Sequence, residues 1–362
     1  KITLLLSIMI SLSSCKVGRF FIFNFADIKD HKKFPDRDLT ASKATFEFLT
    51  PTAPLVPKGL TANGAHYTFG EFLEKYHTVA FMIIQNDSIQ YEAYFDGYEK
   101  SSIVPSFSMA KSITSLLIGI AIEDGLIQSV NEPITNYIPE LKENGFDIVS
   151  IENLLQMTSG LDYNEGYYNP FGDVATFYYG RNLRKAITKM KLNNEPGVEF
   201  DYLSGSTQLL GLVLERAIKD CTITAYLQEK LWGPLEMKYD ASWSIDKKKD
   251  GLEKTFCCLN ATAIDYAKIG RLMLNKGNYN GQQLVSENWI TQSTKVDTTN
   301  GSASYYQYQW WLPSKDGDFM AQGILGQYIY VNPEKNIIMI RLGKKTGNIG
   351  WGNIFNSLSK SY

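Results

Sequence analysis

Residues 105–112 read Pro-Ser-Phe-Ser-Met-Ala-Lys-Ser, and they lie where an extended run turns into an apolar helix. Apolar residues recur at helical spacing from Ile113 to Ile120, and Asp124-Gly125 then supplies a stop. Ser108 and Lys111 are therefore expected one turn apart on the same face of a helix. A lysine stripped of water there can lose its proton and activate the serine as a nucleophile. The stretch predicts a serine hydrolase that needs no histidine.

A Ser-x-x-Lys spacing is weak support by itself, because the chain contains it three more times. The other pairs lie near the N-terminus, in a charged loop and in the C-terminal tail, at Ser13–Lys16, Ser244–Lys247 and Ser357–Lys360. None of them has a suitable setting. The alternative for Ser108 and Lys111 is a helix-capping serine beside a solvated lysine, so the rest of the chain has to decide.

Length and charge exclude some classes of function. With 362 residues and 44% hydrophobic content, the chain is long enough for one large domain or two coupled ones. Its net charge is −2, its isoelectric point is near 6.0, and no sustained lysine and arginine stripe occurs. Nucleic acid is therefore not an expected partner.

Cysteines and histidines give no sign of a metal or cofactor site, since no Cys-x-x-Cys or His-x-x-x-His spacing exists. Cys221, Cys257 and Cys258 remain after Cys15. An odd count gives no disulfide framework, and adjacent cysteines rarely bridge each other. We expect buried, inert thiols, no metal and no cofactor.

The N-terminus has the pattern of an export signal. A basic start, an apolar run from Leu4 to Leu12 and small residues precede Cys15. The run is too short to span a bilayer core of about 30 Å, which needs roughly 20 residues. Leu12-Ser13-Ser14-Cys15 resembles a bacterial lipobox, which predicts a signal peptide over residues 1–15 and lipidation of Cys15; the alternative is an ordinary signal peptide. We expect an exported bacterial lipoprotein, membrane-anchored and periplasmic or associated with the outer membrane.

Apolar periodicity divides the rest of the chain into two parts. Residues 16–64 lack clear periodicity and contain several prolines, so we expect an N-terminal arm packed on the body, or partly a tether. Residues 65–362 form the predicted main domain, with a mostly helical insertion at about 126–250. Strands are predicted on both sides of the insertion, at 79–84, 89–95, 305–312, 319–323, 327–331 and 337–342, with helices at 69–75, 263–274 and 354–358. The pattern predicts an α+β fold, with an antiparallel sheet flanked by helices, a mainly helical domain and a cleft between them.

The order of the histidines limits the serine chemistry. His31, His66 and His77 all precede Ser108, so the Ser, acid, His order of α/β-hydrolases cannot use that nucleophile. A Ser–Lys pair or a Ser–Lys–Tyr trio remains. Tyr202 is the candidate tyrosine, because it lies in a loop just before a predicted buried helix. Its phenol can shuttle protons if a neighbouring ammonium lowers the phenol pKa from about 10; the alternative is a half-buried packing tyrosine.

Four blocks in order resemble the serine β-lactamase-related family. That family includes class C β-lactamases, D-alanyl-D-alanine peptidases, family VIII-type esterases and 6-aminohexanoate-oligomer hydrolases. The blocks are Ser108 to Ser112, Leu154 to Leu161, Pro196-Gly197 through Tyr202 to Gly211, and Gly323 to Gln327 before two strands and a helix. The resemblance covers roughly residues 65–362 and implies a β-lactamase/transpeptidase-like fold.

Carried over to this chain, the resemblance implies Ser108 as the nucleophile, Lys111 as its proton acceptor or tuner, and Tyr202 as general base or proton shuttle. The oxyanion hole would use the backbone amides of Ser108 and of Ile324, the residue after Gly323. These roles imply an acyl-enzyme that water then hydrolyses, with a small-molecule ester or amide as the substrate and no cofactor.

Two positions depart from the family pattern. The family's Tyr-x-Asn element reads Tyr202-Leu203-Ser204 here, so its amide contact with the substrate is weakened or replaced. Its Lys-Thr-Gly strand element falls on Ala321-Gln322-Gly323, which lacks the cation that holds a substrate carboxylate. A literal Lys345-Thr346-Gly347 follows the last predicted strand, and we interpret it as a surface loop that is a decoy.

The missing cation argues against an efficient β-lactamase or carboxypeptidase and favours an esterase or a linear-amide hydrolase. Two alternatives stay open: a penicillin-binding-like, non-catalytic sensor of cell-wall fragments, and a weak β-lactamase or D-Ala-D-Ala carboxypeptidase. A polar, aromatic segment after the second block is expected to line the substrate entrance, through Tyr163, Glu165, Tyr167 and Tyr168.

Overall fold

The computed structural model of the protein describes residues 16–23, 25–62 and 64–362. The predicted signal peptide over residues 1–15, with the lipidation candidate Cys15, lies outside the described residues. Export and lipid anchoring therefore stay predictions. Within the described ranges, no helix combines the length and the hydrophobicity needed to cross a membrane.

Helices and strands follow one another along the described chain. The α-helices are α1 (Lys16–Phe23), α2 (Phe69–Lys75), α3 (Met109–Glu123), α4 (Ile151–Leu155), α5 (Asp173–Tyr179), α6 (Leu183–Ile187), α7 (Ser204–Ile218), α8 (Ile223–Leu227), α9 (Ala263–Leu274), α10 (Glu287–Thr294) and α11 (Trp351–Ser359). The strands are β1 (Asp36–Leu39), β2 (Gly59–Ala62), β3 (Ala65–Thr68), β4 (Thr78–Gln85), β5 (Ser88–Tyr94), β6 (Val104–Pro105), β7 (Ala241–Ser244), β8 (Leu259–Ala261), β9 (Asn278–Tyr279), β10 (Gln282–Gln283), β11 (Tyr306–Gln307), β12 (Trp310–Trp311), β13 (Phe319–Gly323), β14 (Gln327–Asn332) and β15 (Ile337–Gly343).

A seven-stranded antiparallel sheet is the centre of the fold, with the strand order β11-β12-β13-β14-β15-β4-β5. β4 and β15 pair along their lengths, and nearly all their residues are buried. Strands buried on both faces need cover on both faces. α9 packs against β14 and β15 on one face, while α2 and α11 pack on the other. The predicted antiparallel sheet flanked by helices is confirmed.

One predicted strand of this sheet is wrong in detail. The segment 305–312 is not continuous, because it forms the short strands β11 and β12 with a tight turn between them. Tyr308 and Gln309 at that turn have positive φ angles of 37° and 71°. The Gln309 side chain is held by the carbonyls of Leu154 and Leu155, each 2.9 Å away, so tertiary contacts override the local strand pattern.

The N-terminal arm and the helical insertion are more closely joined than the sequence predicts. β1, from the arm, pairs with β7, from the predicted insertion, in a four-stranded sheet of order β1-β7-β8-β6. The range 126–250 is therefore not purely helical. The boundary after residue 64 also falls inside a hairpin, since β2 pairs with β3 across it. Short polar strands such as β1, which reads Asp-Arg-Asp-Leu, carry no alternating pattern that would predict them.

α3 runs through the middle of the molecule and positions the candidate nucleophile. Its residues from Met109 to Ala121 are all buried, so the helix belongs to the core on every side. One side packs on α7 and the other on β13 and β14. The N-terminus of α3 therefore lies where the main sheet meets the helical part of the fold.

Candidate active site

Ser108 immediately precedes α3, and its hydroxyl does not cap the helix. Lys111 lies one turn later with its Nζ 3.0 Å from Ser108 Oγ, and the lysine is 1% exposed. Phe107, just before the serine, has a φ of +45°, a left-handed backbone that is uncommon for residues other than glycine. The alternative of a capping serine beside a solvated lysine is therefore wrong.

Three oxygen atoms surround the Lys111 Nζ. Besides Ser108 Oγ, it donates to Ser204 Oγ at 3.1 Å and to the Phe256 carbonyl oxygen at 3.0 Å. Burial lowers the pKa of Lys111 to about 8, and the negative charge of Glu165 raises it in part. At pH 7 about a tenth of the molecules would therefore carry a neutral amine.

Glu165 fixes the direction of the hydrogen bonds behind the lysine. Its carboxylate accepts the Ser204 hydroxyl proton at 2.6 Å and the Ser204 backbone N–H at 2.7 Å. Ser204 is the first residue of α7, where an anion is favoured by the free amides and the helix dipole. Because the Ser204 proton goes to Glu165, the Ser204 oxygen faces Lys111 as an acceptor.

This arrangement leaves one direction for the lone pair of a neutral Lys111. A neutral amine has two N–H donors and one lone pair. Ser204 Oγ and the Phe256 carbonyl can only accept, so they take the two donors. The lone pair then points at the Ser108 hydroxyl, which is the geometry that a general base needs.

Tyr202 lies beside this pair, but its phenol does not have the expected pKa. The Lys111 Nζ is 5.1 Å from the ring centroid. Burial raises the pKa of Tyr202, Glu165 raises it further, and hydrogen bonding with Ser108 lowers it by less than burial raises it. The expected lowering by a neighbouring ammonium is not found. The phenol is therefore a proton donor at neutral pH.

The two predicted oxyanion-hole amides lie where the end of β13 meets the N-terminus of α3. A Cβ built on Gly323 would lie 2.3 Å from the Ser106 carbonyl oxygen and 3.2 Å from the Ser108 nitrogen, so only glycine permits this approach. Ile324 follows directly. Within the described ranges, neither the Ser108 N–H nor the Ile324 N–H donates a hydrogen bond. Both are free to bind a carbonyl oxygen between the sheet and α3.

Buried polar side chains hold the turn that carries Ile324. The Gln327 side chain donates to the Ile324 carbonyl at 3.3 Å. Arg341 is fully buried and donates to the Gly326 carbonyl at 2.6 Å, with its guanidinium 3.9 Å from the centre of the Trp351 ring. The turn is thus tied to β15 and α11, which are rigid elements of the core.

A cleft with two lobes opens at Ser108. The larger lobe has a volume of about 330 Å³ and the smaller one about 280 Å³. Both are lined by Ser108, Tyr167, Ile324, Leu325 and Thr346. The smaller lobe adds Tyr202, Trp311, Gln322 and Gly323, and the larger lobe adds Ser204 and a set of aromatic residues.

The residues around the cleft match the sequence predictions in part. Tyr167 and Tyr168 line the larger lobe as expected. Tyr163 is buried instead, and the Glu165 carboxylate accepts a hydrogen bond from the Ser204 hydroxyl. Lys345-Thr346-Gly347 lies in a surface loop after β15, as predicted, and not in a strand. The sequence did not predict that Thr346 of this loop lines both lobes.

The cysteines differ from the sequence prediction. Cys257 and Cys258 are joined by a disulfide, with their Cα atoms 3.7 Å apart, and Cys221 is exposed. The expectation of three buried, inert thiols is therefore wrong. The disulfide directly follows Phe256, whose carbonyl holds Lys111, and Cys257 lines the larger lobe. Within the described ranges, no group of His, Cys, Asp and Glu side chains is arranged to hold a metal ion.

Comparison with known proteins gives a consistent result. A family model described as Beta-lactamase matches residues 68–350. The 6-aminohexanoate-dimer hydrolase of Paenarthrobacter ureafaciens is 27% identical over 325 residues, which cover 84% of this chain and 81% of that protein. A solved Bacillus anthracis structure, provisionally named as a 6-aminohexanoate-dimer hydrolase, has a TM-score of 0.82 at 23% identity over 94% of each chain. A family VIII carboxylesterase has a TM-score of 0.58 at 16% identity over 74% of this chain and 86% of that one. The β-lactamase/transpeptidase-like fold is confirmed.

Proposed function

We propose that this chain, which belongs to the beta-lactamase family and is a serine hydrolase, cleaves small esters or linear amides through an acyl-enzyme on Ser108. The observation that carries the proposal is the buried Lys111, with a pKa lowered to about 8 and its Nζ 3.0 Å from Ser108 Oγ. A lysine in that state serves as a base near neutral pH, whereas an ordinary solvated lysine does not.

Acylation starts with the neutral Lys111 accepting the Ser108 proton. Ser108 Oγ attacks the substrate carbonyl carbon, and the negative charge that develops on the carbonyl oxygen lies between the N–H groups of Ser108 and Ile324. One such donor is typically worth about 100- to 1000-fold in rate. The tetrahedral intermediate then collapses to an ester of Ser108.

The leaving group departs towards the smaller lobe, where Tyr202 lies. The Tyr202 phenol is protonated at neutral pH, so it can give its proton to the leaving alkoxide or amine and recover one from Lys111. Water enters after the leaving group has gone. Lys111 then accepts a proton from that water, which attacks the acyl carbonyl. When the intermediate collapses, Lys111 returns the proton to Ser108 Oγ, and the acid is released.

The lining of the smaller lobe favours esters and linear amides over β-lactams. Gln322 stands where the family has a cation, and within the described residues neither lobe is lined by a lysine or arginine. A substrate carboxylate has no counter-charge there. The name of the Paenarthrobacter relative describes a dimer of 6-aminohexanoate, which is an amide, and that of the carboxylesterase an ester. Both names agree with cleavage of an amide or ester bond.

A fluorophosphonate probe tests the nucleophile directly. We expect the full chain to be labelled with one equivalent and to hydrolyse p-nitrophenyl acetate, and Ser108→Ala to lose both. Ser357→Ala is the matched control, because Ser357 belongs to another Ser-x-x-Lys pair and is exposed on α11. A Ser108→Ala variant that keeps labelling or turnover would remove Ser108 from the mechanism.

We also propose that the enzyme acts outside the cytoplasm as a lipoprotein anchored through Cys15. The support is the sequence of residues 1–15 alone. In cells fed an alkyne-tagged fatty acid, the wild-type protein should incorporate the tag and Cys15→Ser should not. Equal labelling of the two, or none of the wild type, would contradict the anchor.

A further inference from the structure

The larger lobe of the cleft is lined mainly by apolar and aromatic side chains. Apart from Ser108, Ser204 and Thr346, its lining consists of aromatic and aliphatic side chains and Cys257: Phe25, Ala26, Phe107, Tyr167, Tyr168, Val174, Ala175, Tyr178, Tyr179, Phe256, Ile324 and Leu325. Among the described residues, none that lines this lobe is charged at neutral pH. We propose that the lobe binds an uncharged, apolar acyl group of medium length, an inference that rests on the acyl-enzyme function proposed above.

The position of Tyr202 decides which lobe holds the acyl group. Tyr202 lines the smaller lobe and not the larger one. Because the leaving group receives its proton from Tyr202, it occupies the smaller lobe. The acyl group extends from the same carbonyl in the other direction, into the larger lobe.

The N-terminal segment builds part of this acyl site. Phe25 and Ala26 line the lobe, yet both lie outside residues 68–350, which match the family. Phe25 has a φ of +64°, and its ring contacts Tyr168 edge-on at 5.4 Å and Phe20 at 5.6 Å. A left-handed backbone at a phenylalanine is uncommon and is sustained by these ring contacts. This part of the acyl site therefore lies outside the residues that match the family model.

The volume of the lobe limits the length of the acyl group. A dry cavity of about 150 Å³ holds a benzene molecule. A lobe of about 330 Å³ has room for a linear chain of several methylenes, and it is at the lower end of the range for ligand pockets, about 300–1000 Å³. Acetyl groups would leave most of it unfilled.

Two of the tyrosine hydroxyls in the wall already donate to carboxylates, and a hydroxyl is not a counter-ion for a charged end. The Tyr178 hydroxyl donates to Asp30 at 2.6 Å, and the Tyr167 hydroxyl donates to Glu165 at 2.9 Å. An ammonium or carboxylate at the end of the acyl chain would lose its water without gaining a counter-ion. The aromatic rings offer a cation–π contact, which would favour an ammonium at the end of the acyl chain. Comparing an ammonium with a methyl group at that end distinguishes this effect from the cost of burying the charge.

Matched p-nitrophenyl esters provide that test on the full chain. Heptanoate and 6-aminohexanoate esters have the same length and differ by a terminal methyl against an ammonium, and the pimelate half-ester places a carboxylate near the same end. We expect kcat/KM to rise about fourfold per methylene from acetate to hexanoate, the ratio expected for burying each methylene. We expect heptanoate to exceed both charged esters by at least about 100-fold.

Variants of the N-terminal segment locate the site. Phe25→Asp should lower the ratio of kcat/KM for heptanoate to that for acetate by at least about tenfold, because a carboxylate then faces the acyl chain. Phe21→Asp is the control, since Phe21 is 67% exposed on the same segment and does not line the lobe; its ratio should stay unchanged.

The possible results separate this inference from the proposed function. One outcome is acetate turnover that depends on Ser108, with the 6-aminohexanoate ester hydrolysed as fast as the heptanoate ester or faster. That result would overturn the apolar acyl site and leave the proposed hydrolase function standing. A flat dependence on chain length, or equal ratios for Phe25→Asp and Phe21→Asp, would overturn it too. No turnover of any ester, together with no probe labelling, would overturn both proposals.

Discussion

The two sides of Ser108 are built in opposite ways. On one side, Lys111 is enclosed by Ser108, Ser204 and Phe256 oxygens, and every polar atom of this cluster has a partner. On the other side, the larger lobe is lined mostly by aromatic and aliphatic groups, with no charge among its described lining residues. The first side determines where protons go, and the second determines which acyl groups fit.

This difference predicts different consequences for change on the two sides. A hydrogen-bonded cluster without spare partners loses its function when one member is removed, because the remaining buried groups are left unpaired. An apolar wall changes preference gradually with area and charge. Substitutions around Lys111 should therefore change the rate or its pH dependence for all substrates, whereas those in the lobe should change the ratio between substrates.

Replacing the amine should produce the largest effect after loss of the nucleophile itself. Lys111→Met keeps most of the side-chain volume but removes the base. General-base catalysis is worth about 100- to 10,000-fold. We expect a loss of kcat/KM for p-nitrophenyl acetate of at least about 1000-fold, because the Tyr202 phenol that also contacts Ser108 is protonated at neutral pH. The measurement is steady-state hydrolysis at pH 8, normalised to the concentration of folded protein.

Lys254→Met is the matched control for that variant. Lys254 is also fully buried, and burial lowers its pKa well below the usual value, but it contacts the Tyr178 carbonyl and the Phe34 ring, not Ser108. Its replacement should keep the acetate rate within about threefold. Similar losses in both variants would mean that Lys111 acts through stability and not through chemistry.

Removing the Tyr202 hydroxyl should have a smaller effect that depends on the leaving group. Nitrophenolate departs without a proton, whereas the amine of the corresponding p-nitroanilide needs one. We therefore expect Tyr202→Phe to lower kcat/KM about 100-fold for the heptanoyl anilide and less than about tenfold for the heptanoate ester. Equal losses for the two substrates would argue against proton donation by the phenol.

Tyr306→Phe controls for the loss of a buried hydroxyl near the same ring. Tyr306 packs edge-on against Tyr202 with 5.8 Å between the ring centres, and its own hydroxyl has no hydrogen-bond partner among the described residues. Removing that hydroxyl should leave both rates and their ratio unchanged. The comparison assigns any selective loss to the Tyr202 phenol.

The parts of the fold that the sequence predicts well are those with a strong apolar period. α2 and α9 have the predicted bounds, as does β13, while β14 and β15 differ from the prediction by one residue. The parts that it predicts poorly depend on distant partners. β1 pairs with β7, about 200 residues later in the chain, and its four residues show no alternation of their own.

The same distinction applies to the site. Ser108 and Lys111 share one helix, so their spacing predicts their contact. Glu165 reaches Ser204 across 39 positions, and the Phe256 group is a backbone carbonyl that has no side-chain signature. Phe25 enters the lobe from a segment without periodicity. Contacts made by the backbone or by loops arise only from the assembled fold, which is why the sequence reveals the nucleophile but not what surrounds it.

Neutralising Glu165 should give the smallest of these effects on rate and the most specific one on pH dependence. The kcat/KM profile should rise with pH around Lys111's pKa of about 8, since the neutral amine is the active form. The Glu165 charge raises that pKa, so Glu165→Gln should move the midpoint to lower pH, by about half a unit to one unit. Glutamine can still accept the Ser204 proton, which should keep the plateau rate within about fivefold.

Glu199→Gln is the control, because Glu199 is an exposed carboxylate in the loop before Tyr202 and contributes the same formal charge to the surface. Its profile should coincide with that of the wild type. A Glu165→Gln midpoint that stays in place would show that the carboxylate orients Ser204 without tuning the amine. A midpoint that moves to higher pH would mean that the titrating group is not Lys111. A different residue would then have to be the base on the polar side of Ser108.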